Sequence, residues 1–158
     1  MSHFRSSTLA VLFGLAAGAA TASAASQPRG SEPVFHPIEG GVAAMAPPFS
    51  ESVRAGGMLY LSGQVGTDAG GKLVAGGIRA EAKQTMDNIG AALARGGSSF
   101  ANVVQCTVAL ADIAEWPVFN EVYRGYFTKH YPARMAFAAT GLALGARVEV
   151  QCTAVVAH

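Results

Sequence analysis

The feature that most constrains the fold is a pair of helical segments set among short strand-like runs. Residues 78–95 carry apolar side chains at helical spacing, and Gly96 and Gly97 follow as a stop signal. Residues 113–130 repeat this pattern with aromatic side chains three or four positions apart, and Pro132 closes the segment. This alternation predicts a domain that is neither all-helical nor all-β.

Short apolar and β-branched runs surround the two helical segments. Two strands are predicted around the turn at Gly56 and Gly57, and an extended segment at 72–74 follows a second turn. Three more strands are predicted at 103–110, 135–140 and 148–156. The order β-β-β-α-β-α-β-β predicts an α+β sheet with both helices on one face. Because the other face needs a cover, we expect self-association.

Composition excludes several classes of function. The chain has 158 residues, of which 51% are hydrophobic and 13% charged, and its net charge is +1. This length suits one domain with a substantial core. The balanced charge excludes a strongly cationic nucleic-acid binder, and the hydrophobic content excludes an acidic disordered chain. Two cysteines are too few for a disulfide scaffold or a cysteine-rich zinc module, and the histidines show no metal-ligand spacing.

Residues 1–24 have the three-part pattern of a secretory signal peptide. A short polar stretch with Arg5 precedes an uncharged apolar run at 9–20, and Ala22 and Ala24 then provide an Ala-x-Ala cleavage site. The apolar run is shorter than the roughly 20 residues that span a bilayer as a helix. We therefore expect cleavage after Ala24 rather than a retained membrane anchor. A periplasmic or secreted bacterial protein without further membrane contact is predicted.

Two regions follow the predicted cleavage site. Residues 25–48 contain five prolines and are predicted to form an extended arm or linker. Residues 49–158 contain all the main predicted strands and helices, so they are predicted to form a single domain.

Four stretches carry a family resemblance: LSGQV at 61–65, FNEVY at 119–123, YPAR at 131–134 and RVEV at 147–150. In this order and spacing, over about residues 46–156, they resemble the Rid family, the reactive intermediate deaminases also called the YjgF family. The resemblance implies a chorismate-mutase-like (YjgF-like) α+β subunit with a mixed sheet. It implies a homotrimer with clefts between subunits. It also implies hydrolysis of small 2-imino or enamine acids to 2-oxo acids and ammonia, without a metal or an organic cofactor.

Arg134 is the first candidate catalytic residue. A guanidinium just after a Pro-Ala break can present two parallel donors to a small carboxylate. The resemblance implies that Arg134 holds the carboxylate of the substrate. The residues alone also allow a surface salt bridge with Glu149 or Glu121.

Glu149 is the second candidate catalytic residue, because it is an acid within an apolar strand. A carboxylate buried there could act as an acid or a base on a water molecule. The resemblance implies that Glu149 holds a water near the imine carbon. The residues alone equally allow a carboxylate on the solvent-facing side of the strand.

Five further positions are candidates for substrate binding. The resemblance places Ser62 and Gly63 at the border of the cleft and Asn120 at the site or at an interface, although helical spacing alone favours core packing around Asn120. Phe49 stands where many members have a tyrosine, so it could wall the pocket without a hydroxyl. Ala136 stands where a cysteine or small polar residue is common, so only its backbone carbonyl could serve.

Cys106 and Cys152 lie on two predicted strands. An oxidising periplasm would permit a disulfide, but directly facing strand neighbours seldom have suitable geometry. The sequence therefore favours two buried free thiols.

Two functions other than deamination are also compatible with the sequence. One is a non-catalytic trimer that binds a small carboxylate metabolite, and the other is a protein-interaction or holdase role. An enzyme and a binder would both need Arg134, but only an enzyme would need Glu149 for turnover. The export pattern and balanced charge argue against the nucleic-acid roles described for some members of the family.

Overall fold

The computed structural model describes residues 32–38 and 47–156. The predicted signal peptide and parts of the predicted arm, residues 25–31 and 39–46, lie outside the described residues. Within the described ranges the chain forms two α-helices, α1 (Gly77–Arg95) and α2 (Trp116–Tyr123). It also forms seven strands: β1 (Val34–His36), β2 (Ser52–Ala55), β3 (Met58–Leu61), β4 (Gln64–Val65), β5 (Val103–Leu110), β6 (Ala133–Ala138) and β7 (Val148–Val155).

All seven described strands belong to one mixed sheet. Six of them run in the order β1-β2-β3-β7-β5-β6, and β4 also pairs with β7. The β5–β6 pair is parallel, and the other pairs among the described strands are antiparallel. A parallel pair needs a crossover, and α2 lies in the connection between β5 and β6. This arrangement confirms the predicted α+β fold and leaves β6 at one edge of the sheet.

One face of the sheet packs against the helices. The apolar stripe of α1, including Met86, Ile89 and Leu93, is fully buried against the strands. Helix α1 ends at Arg95 as predicted, because Gly97 just after it has a φ of 80°, which favours glycine. Gly96 packs so closely on the sheet that a Cβ there would lie 3.0 Å from Leu59 Cγ. The core is thus a single layer between the sheet and the helices.

The opposite face of the sheet carries exposed apolar side chains. In the described part of the chain neither helix covers this face, which we call the open face. Exposed side chains on it are Phe35, Tyr60, Met135, Phe137 and Val155. An apolar surface of this kind is typical of a protein interface.

Several sequence-based boundaries were wrong. The strand predicted at 135–140 is β6, which begins and ends two residues earlier, at Ala133 and Ala138. The second helix is shorter than the predicted 113–130, because 3-10 turns at Ile113–Glu115 and Arg124–Tyr126 flank α2. Residues 72–74 form no strand and contribute one isolated bridge through Leu73; the third short strand is β4. Within the described part of the predicted arm, β1 is extended and pairs with β2.

The expected free thiols are also corrected by the structure. Cys106 on β5 faces Cys152 on β7 directly, and the two form a disulfide with a Cα–Cα distance of 4.1 Å. This separation is near the value for directly opposed residues of an antiparallel non-hydrogen-bonded pair, where side chains approach most closely. The disulfide lies in the core, on the helix-covered face of the sheet.

No helix within residues 32–38 and 47–156 is both long enough and apolar enough to cross a membrane.

Candidate active site

Arg134 lies on the edge strand β6 and points to the helix-covered side of the sheet. Its register partner is the buried Cys106, and paired residues on neighbouring strands share a face. The guanidinium lies over three aromatic rings of α2, with Cζ 4.7 Å from the centroid of Tyr123, 5.9 Å from Phe119 and 6.0 Å from Trp116. Stacking on rings is a favourable arrangement for a guanidinium and restricts its orientation.

A cavity of about 510 Å³ opens beside this guanidinium; its lining residues are Asn120, Tyr123, Arg124, Tyr131, Pro132 and Arg134. Within the described residues, no carboxylate lies at ion-pair distance from Arg134. Glu121, one of the salt-bridge partners the sequence allowed, pairs instead with Arg79 at 2.5 Å. The cavity therefore presents a positive charge that lacks an acidic partner from the described chain, which suits an anionic ligand.

Two of the lining residues, Asn120 and Tyr123, each have a buried polar atom without a partner among the described residues. Asn120 Oδ1 and the Tyr123 hydroxyl make no hydrogen bond to any residue that the structure describes. The Tyr123 side chain is almost fully buried, with 4% of its surface exposed. Burial raises the pKa of Tyr123 to about 12, although the nearby Arg134 charge acts in the opposite direction. The hydroxyl therefore keeps its proton near neutral pH and remains a hydrogen-bond donor.

Glu149 lines a second cavity, of about 480 Å³, on the open face of the sheet. Its lining residues are Ser62, Gly63, Thr107, Ala109, Phe137, Ala139, Leu142, Glu149 and Gln151. The Glu149 side chain is half-buried. Gly63 packs directly against the carboxylate, because a Cβ at that position would lie 2.9 Å from Glu149 Cδ. Ser62 is fixed by a hydrogen bond of 2.6 Å from its hydroxyl to the Ser50 carbonyl.

The two candidate catalytic residues point to opposite faces of the sheet. Arg134 shares the covered face with Cys106, whereas Glu149 alternates with the buried Val148 and Val150 and faces the open side. One chain therefore does not bring the guanidinium and the carboxylate into a single cavity.

Of the other five candidate residues, three line one of the two cavities and two line neither. Ser62 and Gly63 accompany Glu149, and Asn120 accompanies Arg134. Ala136 packs against the core, two positions after Arg134 on the same face. Phe49 is exposed and is not among the residues that line either cavity.

Tyr123 was not among the candidate residues predicted from the sequence, although it lies beside Arg134. Its helical spacing from Phe119 and Asn120 was the available signal, because residues three or four apart share a face. That spacing does not reveal whether a hydroxyl has a partner.

Within the described part of the chain, no cluster of three or more histidine, cysteine, aspartate or glutamate side chains could hold a metal ion.

Comparisons with known proteins identify relatives of this chain. A 2-iminobutanoate/2-iminopropanoate deaminase from Bos taurus is 46% identical over 109 residues, covering 68% of this chain and 80% of the relative. The Homo sapiens protein of the same name is 42% identical over 109 residues, with the same coverage. The crystal structure of RidA from an Antarctic Psychrobacter species superposes with a TM-score of 0.67 at 32% identity, covering 77% of this chain and 94% of that one.

The family model described as Endoribonuclease L-PSP matches residues 42–156. This range includes both helices, six of the seven described strands and both cavities. The chain therefore belongs to the endoribonuclease L-PSP family, which is also called the YjgF or Rid family.

Proposed function

We propose that this protein hydrolyses small 2-imino acids, or the enamines in equilibrium with them, to 2-oxo acids and ammonia. The observation that carries the proposal is the Arg134 guanidinium, which faces a cavity without an acidic partner among the described residues. The names of the relatives, 2-iminobutanoate/2-iminopropanoate deaminases, agree with this chemistry.

Arg134 would bind the substrate carboxylate. A planar guanidinium forms two parallel hydrogen bonds to a carboxylate and so fixes both its position and its orientation. The aromatic rings beneath Arg134 would limit its motion and lower the entropy lost on binding.

Glu149 would hold and activate the attacking water. Water adds to the C=N carbon of the protonated imine while the carboxylate accepts one of the water protons, which gives a tetrahedral carbinolamine. The carboxyl group returns this proton to nitrogen, and the C–N bond breaks as the carbinolamine hydroxyl gives its proton to the carboxylate. A 2-oxo acid and ammonia are released, and loss of the last proton restores the carboxylate. Proton transfer by one positioned carboxylate is typically worth 10²- to 10⁴-fold in rate.

The site would be assembled between subunits of a homotrimer. Arg134 lies on an edge strand and Glu149 on the open face of the same sheet, so Arg134 of one subunit could meet Glu149 of a neighbour. The apolar side chains of the open face, including Tyr60, Phe137 and Val155, support burial of that face between subunits.

We also propose that the mature protein works in an oxidising compartment, the periplasm or the exterior of a bacterium. The signal-peptide pattern of residues 1–24 and the Cys106–Cys152 disulfide both support this location. Titration of thiols in the denatured, unreduced protein taken from its native host checks it. Two free thiols per chain would contradict the proposal.

The decisive experiment is imine hydrolysis by residues 25–158. An amino-acid oxidase would generate 2-imino acids, and semicarbazide would compete for them. The wild type is expected to suppress semicarbazone formation, whereas Arg134→Ala is expected to lose this effect. Arg134→Lys keeps the charge but loses the paired donors, so it should recover only a small part of the activity.

A Glu149→Gln variant distinguishes the enzyme hypothesis from the hypothesis of a non-catalytic carboxylate-binding protein. The enzyme is expected to lose about 10²- to 10⁴-fold in kcat while still binding a 2-oxo acid. If neither the wild type nor Arg134→Ala suppresses semicarbazone formation across a panel of amino acids, deamination of those substrates is excluded. If both suppress it equally, the role of Arg134 is excluded instead.

A further inference from the structure

Tyr123 combines features that core packing does not explain. Its ring lies under the Arg134 guanidinium at 4.7 Å, the residue lines the same cavity, and its hydroxyl is buried. No residue described by the structure hydrogen-bonds to that hydroxyl. A phenylalanine would fill the same core volume without leaving a buried polar atom unpaired.

The cost of this arrangement points to a function. Leaving a buried hydroxyl unpaired typically costs about 1–3 kcal/mol, so a tyrosine in such a place needs a compensating role. Polar groups that disturb the packing of the resting protein are typical of binding sites, where a ligand supplies the missing partner.

We propose that Tyr123 is a ligand-binding residue of the Arg134 site, and that its hydroxyl donates a hydrogen bond to the same carboxylate that the guanidinium binds. This inference rests on the proposed function and adds a neutral donor to the charged one. The aromatic ring then has a second role as the platform that orients Arg134. A neutral donor beside a guanidinium favours a carboxylate over a neutral group, because a hydrogen bond to a charged acceptor is stronger.

The high pKa of the phenol is consistent with this role. Since burial raises the pKa of Tyr123 to about 12, the hydroxyl remains a donor across the working pH range. A phenolate in its place would repel the carboxylate.

The test compares Tyr123→Phe with the wild type in two measurements. Binding of 2-oxobutanoate, followed by isothermal titration calorimetry, is expected to weaken about ten- to hundredfold, the range for a hydrogen bond to a charged group. Thermal unfolding without ligand, at one fixed protein concentration, is expected at the same or a higher Tm, because the substitution removes an unpaired buried hydroxyl.

Tyr126→Phe is the matched control. Tyr126 lies three residues further along the chain, and its hydroxyl already has a partner, Asp87 Oδ1 at 2.7 Å. This variant is therefore expected to lower the Tm while 2-oxobutanoate binding stays within about twofold of the wild type.

Each outcome decides between the possibilities. If Tyr123→Phe binds 2-oxobutanoate as the wild type does, or if its Tm falls as in Tyr126→Phe, the proposed role of the hydroxyl is wrong and Arg134 acts without it. If the wild type itself fails to bind 2-oxobutanoate, the carboxylate site of the proposed function fails, and the role of Tyr123 fails with it. Weaker binding at an unchanged or higher Tm supports the proposal.

Discussion

Gly63 leaves space for the Glu149 carboxylate because it has no side chain. Its backbone φ is not in the left-handed region, so the glycine is not required by a turn. Instead, the Glu149 carboxylate occupies the space that a Cβ would take, 2.9 Å from Glu149 Cδ. Glycine is used where another group must approach the backbone this closely.

Replacing Gly63 by alanine is expected to displace the Glu149 carboxylate. A misplacement of about 1 Å at a reacting group can cost about 10²-fold in rate, so kcat for imine hydrolysis should fall by about this factor. Binding of 2-oxobutanoate should change little, because the carboxylate is bound by Arg134 and not by Glu149. Steady-state kinetics and calorimetry measure the two effects separately.

Gly125→Ala is the control for this substitution, since nothing lies within 4 Å of a Cβ built there. It should retain the activity of the wild type. Equal activity of Gly63→Ala and Gly125→Ala would show that the position of Glu149 is not critical.

Motifs identified Arg134 and Glu149 from the sequence, but the surroundings of these residues depended on the fold. The two sides of β6 and β7 become distinguishable only once Cys106 is known to pair with both Arg134 and Cys152. The spacing of Tyr123 indicates a buried ring, and the missing partner of its hydroxyl requires the whole environment.

Among the secondary-structure elements, α1 is joined to the turn after α2 by a polar contact. The Tyr126 hydroxyl, just after α2, donates to Asp87 on α1, and Lys83 one turn earlier lies 2.7 Å from the same carboxylate. Burial alone would raise the pKa of Asp87, but the hydrogen bonds from Lys83 and Tyr126 outweigh it and the pKa is lowered from 3.8.

The lowered pKa makes the contribution of Asp87 to stability depend on pH. A carboxyl group with a pKa lower in the folded than in the unfolded state stabilises the fold fully above its unfolded pKa. This contribution is lost as the pH falls below 3.8 and through the folded-state pKa.

We therefore expect Asp87→Asn to be less stable than the wild type at pH 7 and close to it at about pH 2. Urea unfolding at pH 7, 5, 3 and 2, at one protein concentration, measures the difference. A difference that stays constant over this range would contradict the assignment.

The sequence predicted some helices and strands with correct bounds and others with wrong bounds. Strand β5 and the end of α1 agree with the sequence, because strong periodicity and a glycine stop define them locally. Helix α2 ends at Tyr123, earlier than predicted, because the aromatic pattern continues through a 3-10 turn after the helix. Bonding of Cys106 to Cys152 depends on strand register, which no local pattern determines.

For the whole molecule, the opposed directions of Arg134 and Glu149 give the proposed trimer a distinctive test. Arg134→Ala and Glu149→Gln are each expected to be inactive alone. When the two variants are unfolded and refolded together, some sites should receive Arg134 from one chain and Glu149 from its neighbour. Random assembly from equal amounts should restore about one quarter of the wild-type activity.

The control is to mix the two variants after each has been refolded separately. Without exchange of subunits, this mixture should remain inactive. If co-refolding restores no activity although mixed oligomers form, the two residues act within one chain and the shared site is wrong.

The burial of the disulfide between Cys106 and Cys152 has a consequence for when the bond can form. Its two cysteines have 0% and 1% of their surface exposed, so neither an oxidant nor a reductant reaches the sulfur atoms of the folded chain. The bond must therefore form before the helices close over that face of the sheet. Afterwards its lifetime follows the rate of unfolding rather than the redox potential of the surroundings. The two sulfur atoms therefore keep the redox state that they acquired while the chain folded.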